Sequence, residues 1–270
     1  MLHPDAGRGA TGVRSDGERP GRLLLGIALV AMAALAYQGA RERSQRPGAR
    51  LEPSPEQEVA LARELGGLDP DPAIQRTVQQ VGGRLSAAAA SPRPFDFQVL
   101  ADPRTVNAFV LPGGSILITR GLYARLENEA ELAGVLAHEI GHAVAGDPAR
   151  ESVPASFAAS DTGASPRAEQ PESFSTRLLR LEFGRSDELA ADAASVELMS
   201  AAGYDPRALI RVMRLLDASA GDAAQPGFAR THPDSGDRAA RIGKAIDRRF
   251  PGGVAPELTA GRNLLAADLP

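Results

Sequence analysis

With 43% hydrophobic and 24% charged residues, a chain of 270 can bury an ordinary core, as one sizeable domain with a targeting segment or as two small domains. Aromatics are only 4% and Trp is absent, so Leu, Val, Ile and Ala must fill that core, and helix is the expected dominant element. The net charge of −4, without a dense Lys/Arg run, argues against a nucleic-acid partner; zero cysteines exclude disulfides and thiolate metal sites, leaving His and carboxylate as the only metal donors.

Residues 1–22 form a polar N-terminal segment. The next stretch, 23–40, is apolar, with no charge over 23–37. As a helix those fifteen residues cover about 22 Å, short of the roughly 30 Å hydrocarbon core unless Gln38 to Ala40 are added. Arg19 and Arg22 give it a basic approach and Ala34-Leu35-Ala36 a cleavage signal, so it reads as a signal peptide or as a single membrane anchor. Arg41, Arg43, Arg46 and Arg50 beyond it weigh against a simple positive-inside orientation. Either reading exports the rest of the chain, to the periplasm or cell envelope, possible anchoring to the inner membrane included. Residues 41–53 have linker composition.

Folded structure is expected over 54–250. Ser54 and Pro55 open a helix that Gly66 or Gly67 stops, and Asp71 and Pro72 open a second. The alternation of Phe95, Phe97 and Val99 predicts a strand; the two apolar runs around Pro112-Gly113-Gly114 predict a β-hairpin. A helix follows over Glu129 to Ala145, with Asn128 and Glu131 as a capping box and Leu132, Val135, Leu136, Ile140, Ala143 and Val144 as its buried stripe. Residues 147–175, rich in Pro, Ser, Ala and charge, read as a long loop of the kind that serves as a lid or stays disordered. Three more helices are expected: one through DELAAD stopped by Gly203, one opened by Asp205-Pro206, and one after His232-Pro233. Residues 251–270 look like an irregular tail.

The helix over Glu129 to Ala145 contains VLAHEIGHAVAGD, which places His138 and His142 four residues apart. Such residues are stacked neighbours, about 5–6 Å between Cβ atoms, so both imidazoles can reach one Zn²⁺. Glu139, roughly 100° round the helix, can meet a metal-bound water without being a ligand itself. Catalytic zinc wants a third protein ligand, and Glu188 in DELAAD is the best candidate; Asp192, one turn on, can accept the free N–H of a ligand histidine. The competing reading makes all of these polar residues on solvated helix faces. His232 is the histidine left over outside the N-terminal segment. It is either a donor to the tetrahedral oxyanion, a fourth zinc ligand that silences the site, or a loop residue without a role.

HEIGHAVAGD, DELAADAASVELMSAAGYDP and ARTHPDSGDRAARI, preceded by VNAFVLPGGSILITRGL, resemble the gluzincin zinc metallopeptidases that include HtpX, the CAAX prenyl proteases and the BepA-like periplasmic enzymes. The resemblance implies an α+β fold, a mostly helical zincin-like domain with a small β-sheet, a hairpin, beside the HExxH helix. It also implies one Zn²⁺ per chain on His138, His142 and Glu188, with Glu139 as catalytic base and Asp192 behind the ligands. With one apolar segment, the likeness is to the soluble envelope branch. Two features depart from the family: the further His often found after the motif helix is replaced by GDPAR, and no helical repeat domain follows. The expected function is zinc-dependent endoproteolysis of misfolded or unassembled envelope proteins, with unfolded or extended polypeptides as substrates. An extended substrate could add to an edge strand over 115–119. The alternative is an envelope chaperone or assembly factor with a latched zinc site.

Overall fold

Asp71 and Pro72 open the first helix by the means their chemistry offers. In the computed structural model, which describes residues 62–63, 66–89, 91, 94–111, 114–145, 184–219, 227–232 and 237–265, the Asp71 carboxylate accepts the Ala73 N–H at 2.8 Å. Pro72, lacking an N–H to satisfy, then leads helix α1 (Pro72–Ala88). Just upstream, Gly66 and Gly67 take φ of 85° and 82°, the left-handed conformation that ends a helix. All described residues belong to one unit, Ser44–Pro270.

Three strands follow: β1 (Asp96–Leu100), β2 (Ala108–Val110) and β3 (Ser115–Thr119). β2 and β3 pair antiparallel, Ala108 opposite Ile118 and Val110 opposite Ile116, while β1 joins the other side of β3 in parallel. The order is β1-β3-β2. This corrects the expectation that residues 115–119 form a free edge: β3 is the central strand, hydrogen-bonded on both sides, and the edges are β1 and β2. Two-residue periodicity sorts the side chains. Phe97, Val99, Ala108, Val110, Ile116 and Ile118 face the main core, whereas Leu100, Phe109, Leu111 and Leu117 form a smaller cluster on the opposite face.

A short helix α2 (Arg120–Tyr123) leads to α3 (Glu129–Ala145), which packs on α1, β2, β3, α4 (Arg185–Ala201) and α5 (Ala208–Ser219). Because neighbours surround it, α3 is buried from Glu129 through His142 on every side rather than along one stripe. Val144, assigned to the buried stripe, is instead 42% exposed. Asn128 accepts the Glu131 N–H at 3.1 Å, but the Glu131 carboxylate reaches back to Glu127 N–H, one residue further than a capping box asks, where it also meets Arg211. Gly203, φ 85°, ends α4 with paired bonds from Gly203 N–H to Ser200 C=O and from Tyr204 N–H to Met199 C=O. One-turn helix α6 (Phe228–Thr231) precedes α7 (Arg238–Arg249), capped by the Asp237 carboxylate on Ala240 N–H at 3.0 Å.

Residues 251–265 have no helix or strand, yet they are tied to the core. Glu129 N–H and Ala130 N–H, two first-turn donors of α3 without helical acceptors, bond to the Arg262 and Ala260 carbonyls at 3.0 and 2.9 Å. Thr259 bonds to Gly203 and Asp205 at the end of α4. The segment thus fastens the start of α3 to the turn after α4. The apolar segment 23–40, the linker 41–53, the helix opened by Ser54 apart from residues 62–63 and its stop at Gly66 and Gly67, and the loop over 147–175 lie outside the described residues. Among the described residues, no helix is long and apolar enough to cross a membrane.

Candidate metal centre

The burial of α3 carries His138, Glu139 and His142 into the interior, each at 0% exposure. A solvated polar face is therefore not their setting. His138 and His142 meet edge to face with ring centres 4.6 Å apart and their Nε2 atoms 3.1 Å apart. Helix α4 can approach this pair because Gly141 has no side chain: a Cβ there would lie 3.0 Å from Ala191 Cα and 3.1 Å from its carbonyl oxygen. One turn before Ala191, Glu188 is thereby placed with Oε2 3.4 Å from His138 Nε2 and Oε1 3.4 Å from His142 Nε2. Asp192 Oδ1 lies 3.3 Å from His138 Nδ1, the nitrogen turned away from the cluster.

His232, at the end of α6, completes the group. Its ring stacks on Phe228 with centres 4.0 Å apart and 13° between planes, and Phe228 N–H is bonded to the Val106 carbonyl just before β2. His232 Nδ1 stands 2.9 Å from Glu188 Oε1 and 3.4 Å from His138 Nε2, while Nε2 lies 3.6 Å from Glu139 Oε1. It is 2% exposed, so the reading of a solvated loop residue does not describe it.

His138, His142, Glu188 and His232 each offer one donor atom, and these atoms lie within 4.8 Å of one another. The set fits zinc. Donors held about 2.05 Å from one ion at tetrahedral vertices are about 3.3 Å apart, and four of the separations, taken with Glu188 Oε1 and lying between 2.9 and 3.4 Å, bracket that value. Burying three imidazoles and a carboxylate together is costly unless something compensates them, and a shared cation does so.

Burial and neighbouring charges act on these groups in opposite directions. Burial acts against a charged His138, but the Asp192 and Glu188 carboxylates outweigh it and raise its pKa to about 9. Burial pushes His232 down to about 3, leaving it a neutral imidazole with a lone pair to give. Burial would raise Glu188 and Asp192, yet the imidazoles around Glu188, and His138 with Arg238 beside Asp192, hold both below the usual carboxylate range. Arg238 and Phe228 are the site residues that sequence reasoning missed. A signal existed for Arg238: a cation in the first turn of a helix opposes the helix dipole and so calls for a carboxylate partner.

The sequence matches Peptidase family M48 over residues 71–246. It is 34% identical over 160 residues to "Mitochondrial metalloendopeptidase OMA1" of Arabidopsis thaliana, covering 58% of this chain and 33% of that protein. It is likewise 34% identical over 176 residues to the protein of the same name in Schizosaccharomyces pombe, covering 63% and 51%. Identity to "Beta-barrel assembly-enhancing protease" of Escherichia coli K12 is 29% over 191 residues, 63% of this chain and 39% of that one. The chain thus spans about a third to a half of the length of these relatives. The match takes in α1 and the sheet and continues through the motif helix, the Glu188 helix and His232 into α7, and on this ground the chain belongs to Peptidase family M48.

Proposed function

We propose that the protein is a zinc-dependent endopeptidase that cuts unfolded, misfolded or unassembled polypeptides in the cell envelope. One observation carries the reading: a buried set of three zinc donors, His138, His142 and Glu188, beside a glutamate, Glu139, that is not among the donors. Bound zinc supplies a Lewis acid that polarises the scissile carbonyl. Glu139 takes a proton from the attacking water and delivers it to the leaving amine nitrogen; a purely structural metal site has no use for that carboxylate. Asp192, with Oδ1 3.3 Å from His138 Nδ1, is placed to fix the tautomer of that ligand.

His232 fits the fourth-ligand role better than that of oxyanion donor, because its Nδ1 faces the other donors. In this reading it occupies the position that the substrate carbonyl needs, and it must swing out for catalysis. An extended substrate would add to β2, the edge strand that packs on α3, rather than to β3. Export through the 23–40 segment, as signal or anchor, would place the enzyme in the envelope.

The test is cleavage of unfolded casein by wild type, His232→Ala and Glu139→Gln, with and without chelator. Chelator-sensitive cleavage that is faster in His232→Ala and absent in Glu139→Gln is the expected result. No cleavage by wild type or His232→Ala, together with suppression of casein aggregation, would instead favour a chaperone with a latched zinc site, the reading for which the placement of His232 speaks.

A further inference from the structure

We infer that Arg238 is a positioning residue of the metal centre, holding one oxygen of Glu188 aside so that this carboxylate ligates through the other alone. The inference rests on the metallopeptidase reading but concerns a residue outside the ligand set. Arg238 is the first residue of α7, and its side chain is 4% exposed. Its Nε and Nη2 donate to Asp192 Oδ2 and Oδ1 at 3.0 and 2.6 Å, and Nη1 lies 2.9 Å from Glu188 Oε2 as an ion pair. The guanidinium thus lies against the two carboxylates of α4, with Nη2 also 3.3 Å from His138 Nε2. Glu188 Oε2 is paired with Arg238 and lies 3.4 Å from His138 Nε2, whereas Oε1 faces both His142 and His232, so Oε1 is the oxygen better placed to ligate.

Charge gives a second reason for the arginine. A buried cation at a helix N-terminus is costly on both counts unless carboxylates compensate it. Glu139, Glu188 and Asp192 bring three buried negative charges and Arg238 one positive charge, leaving −2, which one divalent ion balances with neutral imidazoles. Without Arg238 the centre carries −3, and Glu188 is free to offer both oxygens. The added donor would then crowd the coordination position that the reaction requires.

Cobalt(II) substitution tests this in the full chain, because a fifth donor weakens the visible absorption of a four-coordinate ion, whereas a merely looser site at saturating cobalt leaves the absorption per ion unchanged. Arg238→Gln should lower that absorption by roughly threefold or more and weaken zinc binding, read by chelator competition, by about ten- to a hundredfold. A wild-type cobalt spectrum with wild-type zinc affinity in Arg238→Gln would overturn the assignment. If circular dichroism shows that this variant does not fold, Arg238→Lys carries the test. One ammonium cannot hold both carboxylates in this fork, so the spectral loss should persist; an unchanged spectrum overturns the assignment. Failure of the wild type itself to bind zinc would refute the metallopeptidase reading instead.

Discussion

Gly141→Ala probes the contact that brings the two ligand-bearing helices together. The new Cβ would stand 3.0 Å from Ala191 Cα, 3.1 Å from its oxygen and 3.3 Å from its Cβ. Comfortable carbon contacts begin near 3.5 Å, and two of the three atoms are backbone that cannot rotate away, so α3 and α4 must part by roughly half an ångström. Overpacking of this kind costs about 1–3 kcal/mol, against a gain of about 1 kcal/mol from replacing a mid-helix Gly with Ala. Gly83→Ala in α1 isolates that gain, since a Cβ there meets nothing within 4 Å. Urea unfolding of the metal-free proteins should therefore show Gly83→Ala stabilised by about 1 kcal/mol and Gly141→Ala destabilised by up to about 2 kcal/mol. Glu188 rides on α4 while His138 and His142 ride on α3, so the same displacement should weaken zinc affinity by roughly tenfold. A Gly141→Ala protein as stabilised as Gly83→Ala, with wild-type zinc affinity in chelator competition, would refute the close-approach argument.

Glu139→Gln should keep wild-type zinc affinity and lose proteolysis, because an amide cannot take the proton of the attacking water; loss of metal would show that Glu139 is a ligand. Asp192→Asn should weaken zinc binding or slow cleavage by about ten- to a hundredfold while remaining folded; unchanged affinity and rate would remove its role at His138. Asp102 governs a separate acid-side effect. Burial would raise its pKa, but the Thr105 hydroxyl at 2.5 Å and the Arg104 and Thr105 amides hold it below the ordinary carboxylate value. A depressed folded-state pKa stabilises above the unfolded value of about 3.9 and is lost as pH falls through the folded one. The stability difference between wild type and Asp102→Asn should accordingly be full at neutral pH and shrink below pH ~4; a difference independent of pH down to acid unfolding would contradict this.

What the sequence determined by itself was local. Asp71-Pro72 and Gly203 act through the backbone groups of their immediate neighbours, and the alternation through β1 follows from chain geometry, so these elements were readable in advance. The four-residue spacing of His138 and His142 belongs to the same class, since a helix alone makes them neighbours. Glu188, Asp192 and His232 were legible as residue types in motifs, but nothing local could say that His232 would meet them. Only the tertiary structure decided that β3 is central and β2 the edge, because β1 returns in parallel across the sheet. Tertiary packing alone also turned Gly141 into the point of helix contact and bound residues 260–264 to the start of α3 and Thr259 to the turn after α4. Arg238 shows the reason most plainly. Its partners are 46 and 50 positions away, and a buried guanidinium is intelligible only once two carboxylates of another helix are seen to surround it.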